Sequence, residues 1–263
     1  MIARPPSLIL EDQPLPGGPA ADVLLGPLLL AKGMGGAQEI IRIYRPDPTA
    51  AFSRRDSRRP GFARAAQAAG ELGFIPVIRH QGGLLAAYHR GSVVIDHVVR
   101  TPNPTAGLKD RFEHFATLHA DVLSTFGLDA RIGELPGEYC PGAYSINVAG
   151  ATKIVGSAQR ITRDGWLFST IIQVTGSASI REVLTRAYDE IGYELNSSTI
   201  GSVEDYQPGV TAVAVEQALI SDYSATIDAK RGPLSAEAFQ EVASMSTPVI
   251  AVRADTEHEE KQP

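Results

Sequence analysis

Two runs rich in β-branched and aromatic residues, 153–162 and 166–174, are separated by Arg163-Asp164-Gly165. Asp-Gly between such runs is a hairpin turn, because glycine takes positive φ at no steric cost. Two long antiparallel strands in mid-chain must be covered by further strands and by helices, and the flanking sequence supplies both. Ile40-Ile41-Arg42-Ile43-Tyr44 reads as a strand stopped by Pro46, and Thr49 to Ser53 as a weaker one. An Ala-rich helical pattern from Gly61 ends at Gly73, and Ile75 to Arg79 returns to strand. Residues 84–88 and 92–99 read as two more strands turning at Gly91. In 106–127, Leu108, Phe112, Phe115, Leu118, Val122 and Phe126 recur at steps of three and four, which predicts one apolar helix face, with Gly127 as C-cap. Helical patterns occupy about 179–192, 211–223 and 234–244, and 248–252 suits a last strand.

Strands and helices interleaved in this way predict an α/β (α+β) fold, a mixed and largely antiparallel sheet with flanking helices. There is no internal repeat and no sharp compositional boundary, so a single domain over 21–253 is expected. Residues 1–20 are Pro/Gly-rich and read as extended or mobile, and 254–263 as a charged, disordered tail. A net charge of -6 argues against a dominant attraction to nucleic acid or an anionic membrane. Arg54-Arg55-Asp56-Ser57-Arg58-Arg59 is a local basic exception, read first as a solvated loop and second as a contact for an acidic partner. The apolar run 23–30 is too short, and too broken by Gly26-Pro27, to span a bilayer; it reads as a buried helix interrupted by proline. One cysteine excludes an internal disulfide and a cysteine-based metal site, which fits a reducing cytoplasm. His114 and His119 lack the spacing of a zinc pair and read as structural, so no metal is expected.

That cysteine, Cys140, lies in Glu138-Tyr139-Cys140-Pro141-Gly142-Ala143-Tyr144, among turn residues and outside any apolar run. A turn at Gly150 leads into the strand that begins at Lys153, so thiol and amine can face one pocket. A lone cysteine is ordinarily a small buried hydrophobe and a lone strand lysine a solvated side chain. The context changes that: Gly156-Ser157-Ala158 lets a ligand approach the backbone that carries Lys153.

Glu-Tyr-Cys-Pro-Gly-x-Tyr followed by Lys-Ile-Val-Gly-Ser-Ala-Gln-Arg resembles the lipoate-protein ligase and octanoyltransferase superfamily. Within it, a cysteine placed before the lysine is most similar to the octanoyl-[glycine-cleavage H protein]:protein N-octanoyltransferases, or lipoyl amidotransferases. The likeness extends back to Arg79-His80-Gln81-Gly82-Gly83 and forward to Gln173-Val174-Thr175-Gly176-Ser177. It implies the biotin/lipoate protein ligase-like fold. It also implies acyl transfer between carrier lysines, with Cys140 as the thioester-forming nucleophile and Lys153 activating the thiol and orienting the acyl carbonyl. Arg79, Gly82, Gly83, Leu84, Tyr88, Gly142, Gly156, Ser157, Ala158 and Gln159 would form the substrate site, with Leu84 to Ala86 suited to the wall of an apolar pocket.

The implied partners are the glycine-cleavage H protein and the lipoyl domains of 2-oxoacid dehydrogenases, met by a monomer with no cofactor beyond the covalent octanoyl or lipoyl group. Two departures stand out: a Cys140-to-Lys153 spacing one residue longer than in the amidotransferases, and Tyr88 where many relatives carry a histidine. His89 is the neighbour and, by strand alternation, should face away from the pocket. An ATP-dependent lipoate-protein ligase would use the lysine and the glycine loop without the cysteine. A non-catalytic carrier-binding protein would keep the pocket without turnover.

Overall fold

The computed structural model describes residues 7–34, 36–227 and 229–245. The 166–174 run becomes β10 (Gly165–Gln173), paired antiparallel with β9 (Thr152–Thr162) across the Asp164-Gly165 turn, where Gly165 has φ +151. On the other side of β10 lies β6 (Ser92–Arg100), followed by β2 (Glu39–Tyr44) and β1 (Ser7–Leu10), and then by β11 (Lys230–Gly232) at that edge. Beyond β9 come β8 (Ile146–Val148) and β7 (Ala130–Ile132). Only the β1 pairings with β2 and β11 are parallel, so this eight-stranded sheet is mixed and largely antiparallel.

A second sheet holds β3 (Thr49–Phe52) between β4 (Ile75–Ile78) and β5 (Ala86–Tyr88). The 84–88 and 92–99 strands therefore do not form a hairpin with each other. The turn between them, held by Ser92 N–H donating to the His89 carbonyl (2.7 Å), passes the chain from the small sheet to the large one.

Strand alternation sorts the core. Ile41, Ile43, Val93, Ile95 and Phe168 face α3 (Leu108–Ser124) and α5 (Ala212–Ile227). Ile40, Tyr44, Val94, Val98 and Leu167 face α1 (Pro19–Lys32), α6 (Ala236–Ser244) and part of the small sheet. The outer side of the small sheet packs on α2 (Phe62–Glu71) and α4 (Ser177–Ile191). A cleft opens between the α1 side of the large sheet and the small sheet.

Three sequence expectations change. The sheet begins before residue 21: within the segment read as extended or mobile, Ser7–Leu10 is an interior strand with Ile9 and Leu10 buried, because Leu8-Ile9-Leu10 is apolar enough to pair inside the sheet. The helix at 23–30 runs unbroken through Pro27 from a Pro19 start; nearly all of it is buried, so packing outweighs the one backbone bond lost. Of the α3 stripe, Leu108 is exposed while Phe115 and Val122 are buried. The strand expected at 248–252 and the tail at 254–263 lie outside the described residues.

Candidate active site

Cys140 has φ +43, a conformation that L-residues rarely adopt and that its surroundings must hold. Its N–H donates to the Tyr188 hydroxyl (2.8 Å), which in turn donates to the Leu85 carbonyl (2.9 Å). Its carbonyl accepts from Lys153 Nζ (2.9 Å). The sulfur is thereby aimed at the loop after β4, where the Leu84 N–H points at Sγ (3.1 Å) and Arg79 Nη2 lies 4.0 Å away. Arg79 is fixed in turn by the Leu84 carbonyl (2.7 Å). Gly83, at φ +91, lets this loop lie against the thiol; a Cβ there would sit 2.6 Å from Sγ.

Lys153 is the most buried lysine a site can offer, 1 % exposed. Its three protons go to Glu138 Oε1, the Tyr139 carbonyl and the Cys140 carbonyl, each at 2.9 Å, which exhausts an ammonium's donors. None goes to the sulfur, so the cation beside Sγ is Arg79. Glu138, itself buried, also accepts from Leu135 N–H (3.0 Å), Gly142 N–H (3.2 Å) and Ser145 Oγ (2.6 Å). One carboxylate thus organises both the Cys140 turn and the lysine.

Cys140, Lys153, Arg79, Tyr88, Gly156, Ser157 and Ala158 line a single cavity. Val23, Ala86, Val94 and Ile171 make much of its wall apolar. Gly82, Gly83, Gly142 and Gln159 instead line an outer groove that reaches Cys140 past Phe112 and Tyr144. Leu84 does not wall the cavity: it borders a third groove with Arg54, Arg55 and His80, while Leu85 is core and Ala86 takes the wall position. The reason is the Leu84 N–H, which is spent on the sulfur, so the strand starts only at Ala86. His89 does face away, with Nε2 3.3 Å from the Gly176 carbonyl.

Sequence reasoning missed four contributors. Glu138 and Gln81 stood inside quoted motifs without a role, Tyr188 fell unnamed within the helical pattern at about 179–192, and Asp96 lay in Val93-Val94-Ile95-Asp96. A lone acid at an inward-facing strand position was the available signal for Asp96. It lines the cavity, and burial pushes its carboxyl up to about 6, with the Ser169 hydrogen bond and Arg42 acting against that rise. His119 is structural: it meets the Tyr223 hydroxyl at 3.1 Å, and burial lowers it to about 3.

The mixed sheet that carries Cys140 and Lys153 on one cleft is a fold that solved structures share. A lipoate-protein ligase A solved with ATP superposes with a TM-score of 0.70 at 20 % identity, covering 91 % of this chain and 93 % of the other. A T. acidophilum protein described as a lipoate protein ligase, solved with lipoic acid, gives 0.69 at 20 % identity over the same shares. The lipoyl protein ligase A/B catalytic domain matches residues 28–224, and the chain belongs to that family. Among curated relatives, the octanoyl-[GcvH]:protein N-octanoyltransferase of Geobacillus kaustophilus is 28 % identical over 185 residues, 70 % of this chain and 65 % of the relative. The chain spans less than two thirds of the length of the curated relatives it matches.

Proposed function

We propose that this chain moves an octanoyl or lipoyl group between carrier-protein lysines through a thioester on Cys140. The observation that carries this reading is a thiol met by a backbone N–H and a guanidinium at the mouth of an apolar cavity. Both donors are placed to meet the sulfur that would make the attack. The sulfur attacks the carbonyl carbon of the donor's acyl-lysine amide; the C–N bond breaks, and the lysine amine leaves with a proton. The acceptor lysine then attacks the thioester, the C–S bond breaks, and the thiol is restored. An amide is exchanged for an amide, so no ATP is consumed. Lys153 would serve the acyl carbonyl by turning one of its donors from a protein carbonyl to the substrate.

The name of the Geobacillus relative supports the glycine-cleavage H protein as donor. We extend the acceptors to lipoyl domains of 2-oxoacid dehydrogenases, and the setting to a monomer in a reducing cytoplasm. No helix among the described residues is long and apolar enough to cross a membrane. Intact-mass analysis after mixing with octanoylated H protein, without ATP, should show an octanoyl increment that Cys140→Ala abolishes. Transfer by Cys140→Ala that needs ATP would replace this reading with that of a ligase, and cavity binding without any transfer would leave a carrier-binding protein.

A further inference from the structure

The cavity is not uniformly apolar away from Cys140: Gln81, Asp96 and Ser169 line it beside Val94 and Ile171. Its floor is the α1 side of the large sheet, and the pairing registers lay two rows of side chains across it. One runs Gly156, Ile171, Val94, Tyr44, and the other Ala158, Ser169, Asp96, Arg42. Strands in a sheet lie about 4.8 Å apart, so Asp96 on β6 is two spacings, roughly 10 Å, from the β9 strand that bears Lys153. Seven carbon–carbon bonds, extended like backbone at roughly 3.5 Å per three bonds, span about 8 Å. An extended eight-carbon chain is therefore long enough to reach β6, where Val94 and Asp96 lie on neighbouring rungs, passing Ile171 and Ser169 on β10.

Asp96, Ser169 and Gln81 are wired but not satisfied. Ser169 Oγ gives its one proton to Asp96 Oδ1 and accepts from Gln81 Nε2 (2.8 Å). The Gln81 amide is thereby oriented with its carbonyl oxygen away from Ser169, and that oxygen is buried with no partner. Gln81 is 7 % and Asp96 5 % exposed. Among the described residues, Asp96 accepts this single side-chain hydrogen bond, leaving its second carboxyl oxygen open. Two acceptor oxygens without a hydrogen-bond partner thus line the cavity, the carboxylate with the Arg42 guanidinium as its charge neighbour and the Tyr44 and Tyr88 side chains on the same lining. A saturated tail would strip water from both and return nothing, whereas an O–H would serve them.

We propose that Asp96, Ser169 and Gln81 form a polar subsite of the cavity that selects acyl chains carrying a hydrogen-bond donor, such as a hydroxyl, near the terminal carbon over the plain saturated chain. This rests on the acyl-transfer reading of the same cavity and narrows its substrate class. Octanoyl then becomes the poorer of two substrates of equal length. Sites built to hydrogen-bond a substrate hydroxyl reject analogues lacking it, because their own polar groups are left unpaired.

The test is calorimetric binding of octanoic and ω-hydroxyoctanoic acids to the full chain, which does not depend on turnover. The hydroxy acid should bind tighter by on the order of tenfold or more. Asp96→Leu should abolish that preference, and Gln81→Met should narrow it. Should Asp96→Leu fail to fold, Gln81→Met alone carries the test. Octanoic acid binding as tightly as the hydroxy acid, or a preference that survives in folded variants, overturns the proposal. The same titrations on Cys140→Ala separate the two claims. An intact preference with no acyl transfer by the parent sinks the transfer reading alone; transfer without preference sinks this one alone.

Discussion

Glu138 and Lys153 neutralise each other in a place that water does not reach, their side chains 0 % and 1 % exposed. Removing one partner of a buried ion pair strands the other, at a cost of about 3–5 kcal/mol. Both Glu138→Gln and Lys153→Ala are therefore expected to lower the unfolding free energy by about that amount in urea titrations. A loss under about 1 kcal/mol would show that the ammonium is free to leave its carboxylate. Lys153→Ala is consequently a poor probe of chemistry alone, since it also loosens the Cys140 turn that its amine holds. The two loop glycines separate more cleanly. A Cβ on Gly82 meets nothing closer than the Gln159 carbonyl at 3.9 Å, while one on Gly83 collides with Sγ in a positive-φ backbone. Gly82→Ala should leave the rate of Cys140 alkylation by iodoacetamide within about twofold of the parent, whereas Gly83→Ala should slow it severalfold and cost ~1–2 kcal/mol of stability. Equal rates in the two variants would mean that the loop does not rest on the thiol.

At the scale of elements, β6 shows what alternation reveals and what it hides. Its β-branched run marks a strand, and the inward parity of Val94, Asp96 and Val98 follows once the register is known. That a carboxylate faces the cleft depends on β2 and β10 pairing on either side of it, which no local pattern states. The long hairpin, α3 and α4 were legible because each carries its own period or turn. The three strands of the small sheet were legible as strands, but their pairing into a sheet of their own was not, because three- and four-residue strands hold too little pattern to choose partners; β1 was hidden behind a proline-rich flank. Asp96 also makes the strand pH-sensitive. Burial pushes its folded carboxyl up to about 6 from the ordinary carboxylate value of about 4, so the folded state holds the proton more tightly. Its contribution is fully present below about 4 and is lost as pH rises through about 6, amounting to on the order of 2–3 kcal/mol. Asp96→Asn still accepts from Ser169 and removes the titration. It should gain on the parent by that order between pH 4 and pH 7 in paired thermal melts, and parallel curves would refute the assignment.

Across the whole molecule, charge is distributed against its average. The chain carries a net -6, yet the groove that reaches Cys140 from the side of the small sheet is edged by Arg54, Arg55 and His80. The sequence offered this cluster as a solvated loop or as a partner contact, and the fold decides its place without deciding its use. Asp56 is drawn inside to the Ser53 N–H and the Tyr193 hydroxyl, and Arg59 is pinned at the Gly192 carbonyl, while Arg54 and Arg55 stay exposed. His80 is lowered from its ordinary value by burial and then by Arg160 and Arg54, so at neutral pH the groove's positive charge is that of its arginines. On the proposed acyl-transfer reading, a carrier that brings its acyl-lysine to Cys140 along this groove must cover them, and rim charges of this kind act on encounter more than on the step after it. Arg54→Glu with Arg55→Glu should therefore raise KM for the carrier by about tenfold at low salt, leave kcat within about twofold, and flatten the dependence on ionic strength. Alkylation of Cys140 by a small neutral reagent should not change. If KM holds while kcat falls, the arginines serve the chemistry or the loop fold, and the carrier approaches through the outer groove beside Phe112 and Tyr144.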